Sequence, residues 1–237
     1  MALALGGLTK GLMGVGLPLV SVPVLASFVG VERAVLIMII PSTVLNFYPA
    51  WTHRAGAGEL PELKLILLGA LPGALIGAAI LQFASARFLA TSLAIWILAY
   101  LVFRLVHPHF RLADIVRRRF SPLVGAAAGA LQASTGISAP VIVPYVDALK
   151  LRPEAYVFAV CTCFGTFAAA HFCLVTIAGV YDRELLLQSL LAIVPAIVFI
   201  PIGVRARRLI SPATFERIIR VLLALMACRL VYSAWFS

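Results

Sequence analysis

Two short stretches of this chain hold most of the residues that could do chemistry. The first reads Gly7-Leu8-Thr9-Lys10-Gly11-Leu12-Met13-Gly14-Val15-Gly16-Leu17-Pro18. The second reads Gly129-Ala130-Leu131-Gln132-Ala133-Ser134-Thr135-Gly136-Ile137-Ser138-Ala139-Pro140. Each places polar side chains beside a glycine and proline break: Thr9, Lys10, Gly14 and Gly16 in one, Gln132, Ser134, Thr135, Gly136 and Ser138 in the other. A break in an apolar helix frees the N–H groups of the half-helix that follows, at the positive end of its dipole. Such ends bind anions. The expected chemistry is recognition of a small negatively charged solute.

Three further positions bear on it. Lys10 is the one Lys or Arg deep in either stretch, and an ammonium at bilayer centre costs roughly 2.5–3.5 kcal/mol on insertion scales. It either faces a pathway and attracts anions, or snorkels to a headgroup, since it lies close to the N-terminus. Asn46 shares a helix face with Thr43. It is either an interhelical hydrogen-bond partner or a ligand donor. Thr162, Thr166 and His171 mark the corresponding stretch of the second half. His171 reads either as a proton relay or substrate contact, or as a satisfied structural histidine.

Catalysis has no comparable support. All nine Asp and Glu lie in linkers or at the ends of apolar runs. There is no HExxH, Walker A loop, GxSxG or paired carboxylate, so no enzyme activity, metal or cofactor is expected. The four cysteines, Cys161, Cys163, Cys173 and Cys228, lie inside apolar runs and read as small hydrophobes. Proton-coupled transporters commonly use carboxylates within the membrane, and none is available here. A sodium site built from backbone carbonyls stays open.

The elements that must position these residues follow from composition. Of 237 residues, 63% are hydrophobic and 12% charged, with a mean hydropathy of +1.08. Soluble domains are about 45–50% apolar and about 25% charged. Water-soluble enzymes, nucleic-acid modules, disordered chains and secreted disulfide scaffolds are thereby excluded. Continuous apolar runs of near twenty residues exclude a β-barrel and require membrane helices. The net charge of +10 sits mainly in short linkers and reflects the positive-inside effect, so no nucleic-acid partner is expected. No cleaved signal peptide is expected, because the first apolar run has no charged region before it.

Eight apolar segments are expected, at roughly 2–28, 34–51, 65–84, 88–106, 121–147, 155–180, 185–204 and 214–236. Gly7, Gly14, Pro18 and Glu32 recur as Gly129, Gly136, Pro140 and Glu154, each 122 residues on. The chain therefore divides into two homologous four-segment halves, 1–106 and 120–237, joined by a basic cytoplasmic linker, 107–119. If all eight segments cross, eight Lys and Arg lie inside and nine outside. If the first and fifth enter and leave on one side, the counts become fourteen and three. The positive-inside rule selects the second arrangement. The fold expected is all-α and polytopic, with inverted repeats and broken or re-entrant first and fifth segments. The alternative is a kinked full span at each break, with parallel halves. Gly69, Gly73 and Gly77 read as a close helix-packing stripe.

The pattern Gly7-x-x-Lys10-Gly11-x-x-Gly14-x-Gly16-x-Pro18-x-x-x-x-Pro23, with its degenerate copy Gly129…Gly136-x-Ser138-x-Pro140, resembles the TauE/SafE family. These are bacterial permeases described as sulfite exporters or organosulfonate transporters. The second copy departs at Gln132, Ala133 and Ser138, where the first has Lys10, Gly11 and Gly16. The resemblance implies a multi-pass protein of the bacterial inner membrane whose cargo is a small sulfur anion such as sulfite, sulfoacetate or another organosulfonate. The partners it implies are that anion and the lipid bilayer, with a homodimer allowed. An inside-negative potential favours anion export by about 2.3 kcal/mol per charge per 100 mV. Uptake of a sulfonate and a non-transporting assembly subunit are the competing readings.

Overall fold

The computed structural model describes residues 1–14, 16–106, 114–207, 209 and 211–236. Among the described residues every regular element is a helix and no strand occurs. The first half comprises α1 (Ala2–Met13), α2 (Leu17–Val29), α3 (Val31–Thr52), a 3-10 turn (Arg54–Glu59), α4 (Leu63–Phe83) and α5 (Ala86–Val106). The second comprises α6 (Asp114–Thr135), α7 (Ala139–Ala148), α8 (Pro153–Ile177), α9 (Arg183–Ala206) and α10 (Pro212–Phe236). Helix α6 begins inside the 107–119 stretch read as a linker; residues 107–113 of that stretch lie outside the described residues. Among the described residues six helices, α3, α4, α5, α8, α9 and α10, are long and apolar enough to cross a membrane.

The first and fifth segments break where glycine allows it. Gly14 (φ 77°) and Gly16 (φ 106°) separate α1 from α2, and Gly136 (φ 72°) ends α6. L side chains resist those angles. Ser138 needs no such licence, because its φ is −96°. Each break is the tip of a helical hairpin. Ser21 Oγ on α2 donates to the Ala2 carbonyl at 3.2 Å, Gly6 packs on Leu17 and Ser21, and Gly16 lies on Thr9. In the second hairpin the hydroxyls of Ser121 and Tyr145 meet at 2.9 Å, and Ser138 reaches Gln132 at 2.9 Å.

Glycine also fixes how the hairpins are held. A Cβ on Gly69, Gly73 or Gly77 of α4 would lie 2.1, 2.0 or 2.2 Å from the carbonyl oxygens of Pro122, Ala126 and Ala130 on α6. The two helices therefore run parallel in backbone contact, which is the close packing expected of that stripe. The reciprocal contact joins α1 to α9, where Gly7 lies on Ala196 and Gly11 on Ile200 and Gly203. Each hairpin thus leans on the third apolar segment of the other half. The opposite face of α4 shows Leu68, Leu71 and Leu75 to the outside, as a lipid-facing helix does.

The remaining spans pair across the halves in opposite directions. Gly56, just past the end of α3, touches Ala155 at the start of α8, and Gly165 touches Asn46. Arg87 at the start of α5 donates to the Ala234 carbonyl near the end of α10, at 2.9 Å. Reciprocal ion pairs close the two ends: Arg33 with Glu184, and Arg152 with Glu59.

Candidate functional site

The hairpin tips meet. Gly16, Pro18 and Leu19 of the first hairpin line a small cavity with Gln132, Ser138 and Ala139 of the second, closed by Ile137 and Phe164. Helices α2 and α7 both start at this junction, and neither has a side-chain cap on its N-terminus. Pro18 and Pro140 occupy the second position of each helix, where a missing N–H removes a donor that would be unpaired anyway. Ser138 stands at the capping position of α7, yet its hydroxyl donates to Gln132 Oε1. The Ala139 N–H is therefore left to another acceptor, because Pro140 has no N–H and that of Val141 donates to the Ser138 carbonyl at 3.1 Å. The two positive dipole ends face one space, and among the described residues that line it there is no carboxylate.

The other expected residues divide by what they touch. Lys10 is buried, and its Nζ donates to Asn46 Oδ1 on α3 at 2.6 Å. Snorkelling is thereby overturned: the ammonium is held inward because α3 offers it an amide oxygen. Asn46 completes its own bonding by donating from Nδ2 to the Ser42 carbonyl at 2.7 Å, so it is an interhelical hydrogen-bond partner. Cys161 on α8 lies within electrostatic reach of Lys10. Thr9 donates to the Leu5 carbonyl, Ser134 to Ala130 and Thr135 to Leu131, each within its own helix. Ser134 and Thr135 do not appear in the cavity wall, whereas Thr9 lines a second cavity described below. Gly14 and Gly136 set the tips, and Gly136 packs against Val22 and Val35. Thr166 is half-buried beside Gly165, which packs on Asn46.

His171 is fully buried, and among the described residues neither ring nitrogen meets a hydrogen-bond partner. It is also absent from the lining of the tip cavity.

A wider cavity adjoins the tip cavity and shares Gly16, Leu19 and Ala139 with it. Its wall adds Thr9 and Met13 from α1, Tyr100 and Arg104 from α5, and Arg220 and Leu223 from α10. The sequence count treated Arg104 and Arg220 as linker charges. Their setting was legible: Arg220 sits in Ile218-Ile219-Arg220-Val221-Leu222, inside an apolar run. Phe164 carried no such signal. Among the described residues no group of His, Cys, Asp and Glu is placed to hold a metal ion. The donors present, backbone N–H groups, a hydroxyl, an amide and guanidinium groups, suit an oxyanion.

A family model described as Sulfite exporter TauE/SafE matches residues 1–230. No curated protein and no solved structure matches the chain. Neither the match nor the single chain described supports a homodimer.

Proposed function

This chain belongs to the Sulfite exporter TauE/SafE family, and on that premise we propose that it carries sulfite or a small organosulfonate outward across the bacterial inner membrane, through the junction of the hairpin tips. The family is one of multi-pass membrane transporters of sulfur anions, and the six apolar helices agree with that. The observation that carries the finer reading is the convergence of two uncapped helix N-termini on one cavity, with no carboxylate among the described residues that line it.

Inverted halves are part of the reading. Two homologous segments that cross in the same direction would pair in parallel. Here α3 and α8, and likewise α5 and α10, touch in opposite directions. Two hairpins, each followed by three spans, support that inversion; on this reading the Arg152–Glu59 pair and Arg205 face the cytoplasm. Broken backbone at membrane depth is tolerated because the hairpins are enclosed by protein. Cysteines at positions 87 and 205 should then label from opposite faces of the membrane.

The mechanism follows from charge. The anion exchanges part of its hydration for the N–H groups at the starts of α2 and α7 and the amide N–H of Gln132, whose oxygen is held by Ser138. Lys10, held on Asn46 one hairpin face away, adds a positive field. An inside-negative potential then assists exit by about 2.3 kcal/mol per charge per 100 mV. Proteoliposomes loaded with sulfite or sulfoacetate test this. Efflux should rise with an imposed inside-negative potassium diffusion potential. Efflux indifferent to the potential rejects the electrogenic step, and absence of flux for every sulfur anion rejects the cargo class.

A further inference from the structure

We infer that Ser42 on α3 and His171 on α8 form a second anion station, at which the cargo rests after it leaves the helix N-termini and before it reaches the outer face. The inference rests on the proposed function for the identity of the cargo and the direction in which it leaves. The station itself stands on helix phase and burial.

Helix phase places His171. Phe164, in the wall of the tip cavity, is followed by Ala168, His171 and Val175 at steps of four, three and four residues, so the four form one stripe of α8. All four are buried. Val175, at the far end of the stripe, lines a separate cavity with Leu36, Leu81, Gln82 and the exposed Glu32. His171 therefore stands between the two cavities, about 10 Å along α8 from Phe164 at 1.5 Å per residue. Antiparallel packing brings Ser42 to the same depth. Helices α3 and α8 touch at Gly56 with Ala155 and at Asn46 with Gly165, so moving back along one helix matches moving forward along the other. Ser42, one turn before Asn46 and on the same helix face, then falls beside Ala169, two residues from His171.

Both side chains are buried, Ser42 at 1% and His171 at 0% relative exposure. Among the described residues neither the Ser42 hydroxyl nor either ring nitrogen of His171 meets a hydrogen-bond partner. Other hydroxyls of this fold do not stand open in this way: those of Thr9, Thr43, Ser134 and Thr135 each return to a carbonyl of the preceding turn. A buried polar group without a partner costs free energy that an apolar residue of similar size does not incur. Two such groups at one depth of one helix pair are explained by a ligand that visits them. A hydroxyl and an imidazole N–H are donors that suit an oxyanion. The rest of the stripe, Phe164, Ala168 and Val175, offers it none. Beyond Val175 the described lining of the outer cavity has no Lys or Arg, and the Glu32 carboxylate at its edge repels an anion. Cargo that passes the station is therefore released and not held.

The test is sulfite efflux from proteoliposomes beside calorimetric titration of the purified full chain with sulfite. His171→Leu and Ser42→Ala each remove an unpartnered polar group, so each should melt at or above the wild-type temperature. Each should nevertheless slow efflux, about tenfold for His171→Leu and about threefold for Ser42→Ala. Binding affinity should stay within about twofold, because the tip cavity is untouched. His171→Gln keeps an N–H donor and should recover part of the rate. Should His171→Leu not yield folded protein, His171→Cys is made in a chain that also carries Cys173→Ser and Cys228→Ser. That thiol should react with a membrane-impermeant, sulfonate-bearing thiol reagent added from outside, and sulfoacetate should slow the reaction. Efflux unchanged in His171→Leu overturns the inference, as does a loss of affinity that matches the loss of efflux, or a thiol at position 171 that stays inert. If the wild type passes sulfite and both variants pass it equally fast, the transport reading stands and the station falls. If the wild type passes no sulfur anion, both fall.

Discussion

The two hairpins carry matching glycine and proline positions and are held by the same kind of contact, yet they differ at their tips. The first is a charged hairpin tied outward: Lys10 bonds Asn46 on α3. The second is neutral and tied to itself: Gln132, which stands 122 residues after Lys10, accepts from Ser138. The position equivalent to Asn46 is Ala168, buried and without a polar group to offer. Packing has kept the two-fold relation, while polar chemistry has abandoned it. An anion site needs one net positive field, and two uncompensated ammonium groups at membrane depth would each cost roughly 2.5–3.5 kcal/mol on insertion scales.

The largest expected effect tests the shared half of that contrast. Gly11→Val and Gly73→Val each drive a side chain into backbone, 2.1 Å from Ile200 O and 2.0 Å from Ala126 O. Each should cost about 3 kcal/mol or more, because a helix backbone cannot step aside as a side chain can. Size-exclusion profiles and melting curves in detergent should show equal damage. A tolerated substitution in one hairpin would mean that the two are not held alike.

Next comes the unshared half. Lys10→Met removes a charge-assisted bond worth about 1.5–3 kcal/mol and leaves Asn46 Oδ1 buried without its donor. Sulfite efflux should fall about 10–100-fold, the equivalent of that energy. Gln132→Met, which breaks a neutral bond of about 1 kcal/mol, should reduce it less than tenfold. Equal losses would erase the distinction between the tips.

A smaller difference separates Gly16 from its equivalent Ser138. Gly16→Ala forces a Cβ onto φ 106°, a strain of about 1–2 kcal/mol. Ser138→Ala loses one hydrogen bond, about 1 kcal/mol, and no strain arises at φ −96°. Thermal melts should rank the two in that order.

The smallest effect concerns the hairpin exits. Hydrogen bonding and charge from Arg152 hold the Glu59 carboxyl below its ordinary range. The unfolded glutamate titrates near about 4.3, so the pair's stabilisation is complete above that pH. It disappears as the pH falls through the lower, folded value. Glu59→Gln should lower the melting temperature slightly near neutrality, where the pair is intact, and remove the fall that the wild type shows across that acidic window. Arg152 is exposed and Glu59 half-buried at the surface, so solvent screens the effect.

Much of the fold was legible in the sequence. The eight apolar runs became α1–α2, α3, α4, α5, α6–α7, α8, α9 and α10 with ends shifted by a few residues. The largest shift is at α6, which begins at Asp114 in place of about 121 because charged residues continue a helix readily once it has left the membrane. At the site, Gly16, Gln132 and Ser138 were found by their place in the breaks, and all three line the tip cavity. Ser134 and Thr135 look equally polar on paper. In the fold their hydroxyls turn back to carbonyls four residues earlier, a choice made by helix phase and neighbours.

Some properties of this protein are set by local physics and are therefore readable from the chain alone. Hydrophobic length decides that a run becomes a membrane helix, and the stereochemistry of Gly14, Gly16 and Gly136 decides where it breaks. Those properties depend on a residue and its immediate neighbours. Tertiary structure alone decided that Lys10 turns to Asn46, that α1 lies on α9 while α6 lies on α4, and that Arg104 and Arg220 share one wall. Each of these joins residues more than thirty positions apart. Burial of an ammonium and interlocking of backbones fix such partners, and neither quantity exists until the helices are in place.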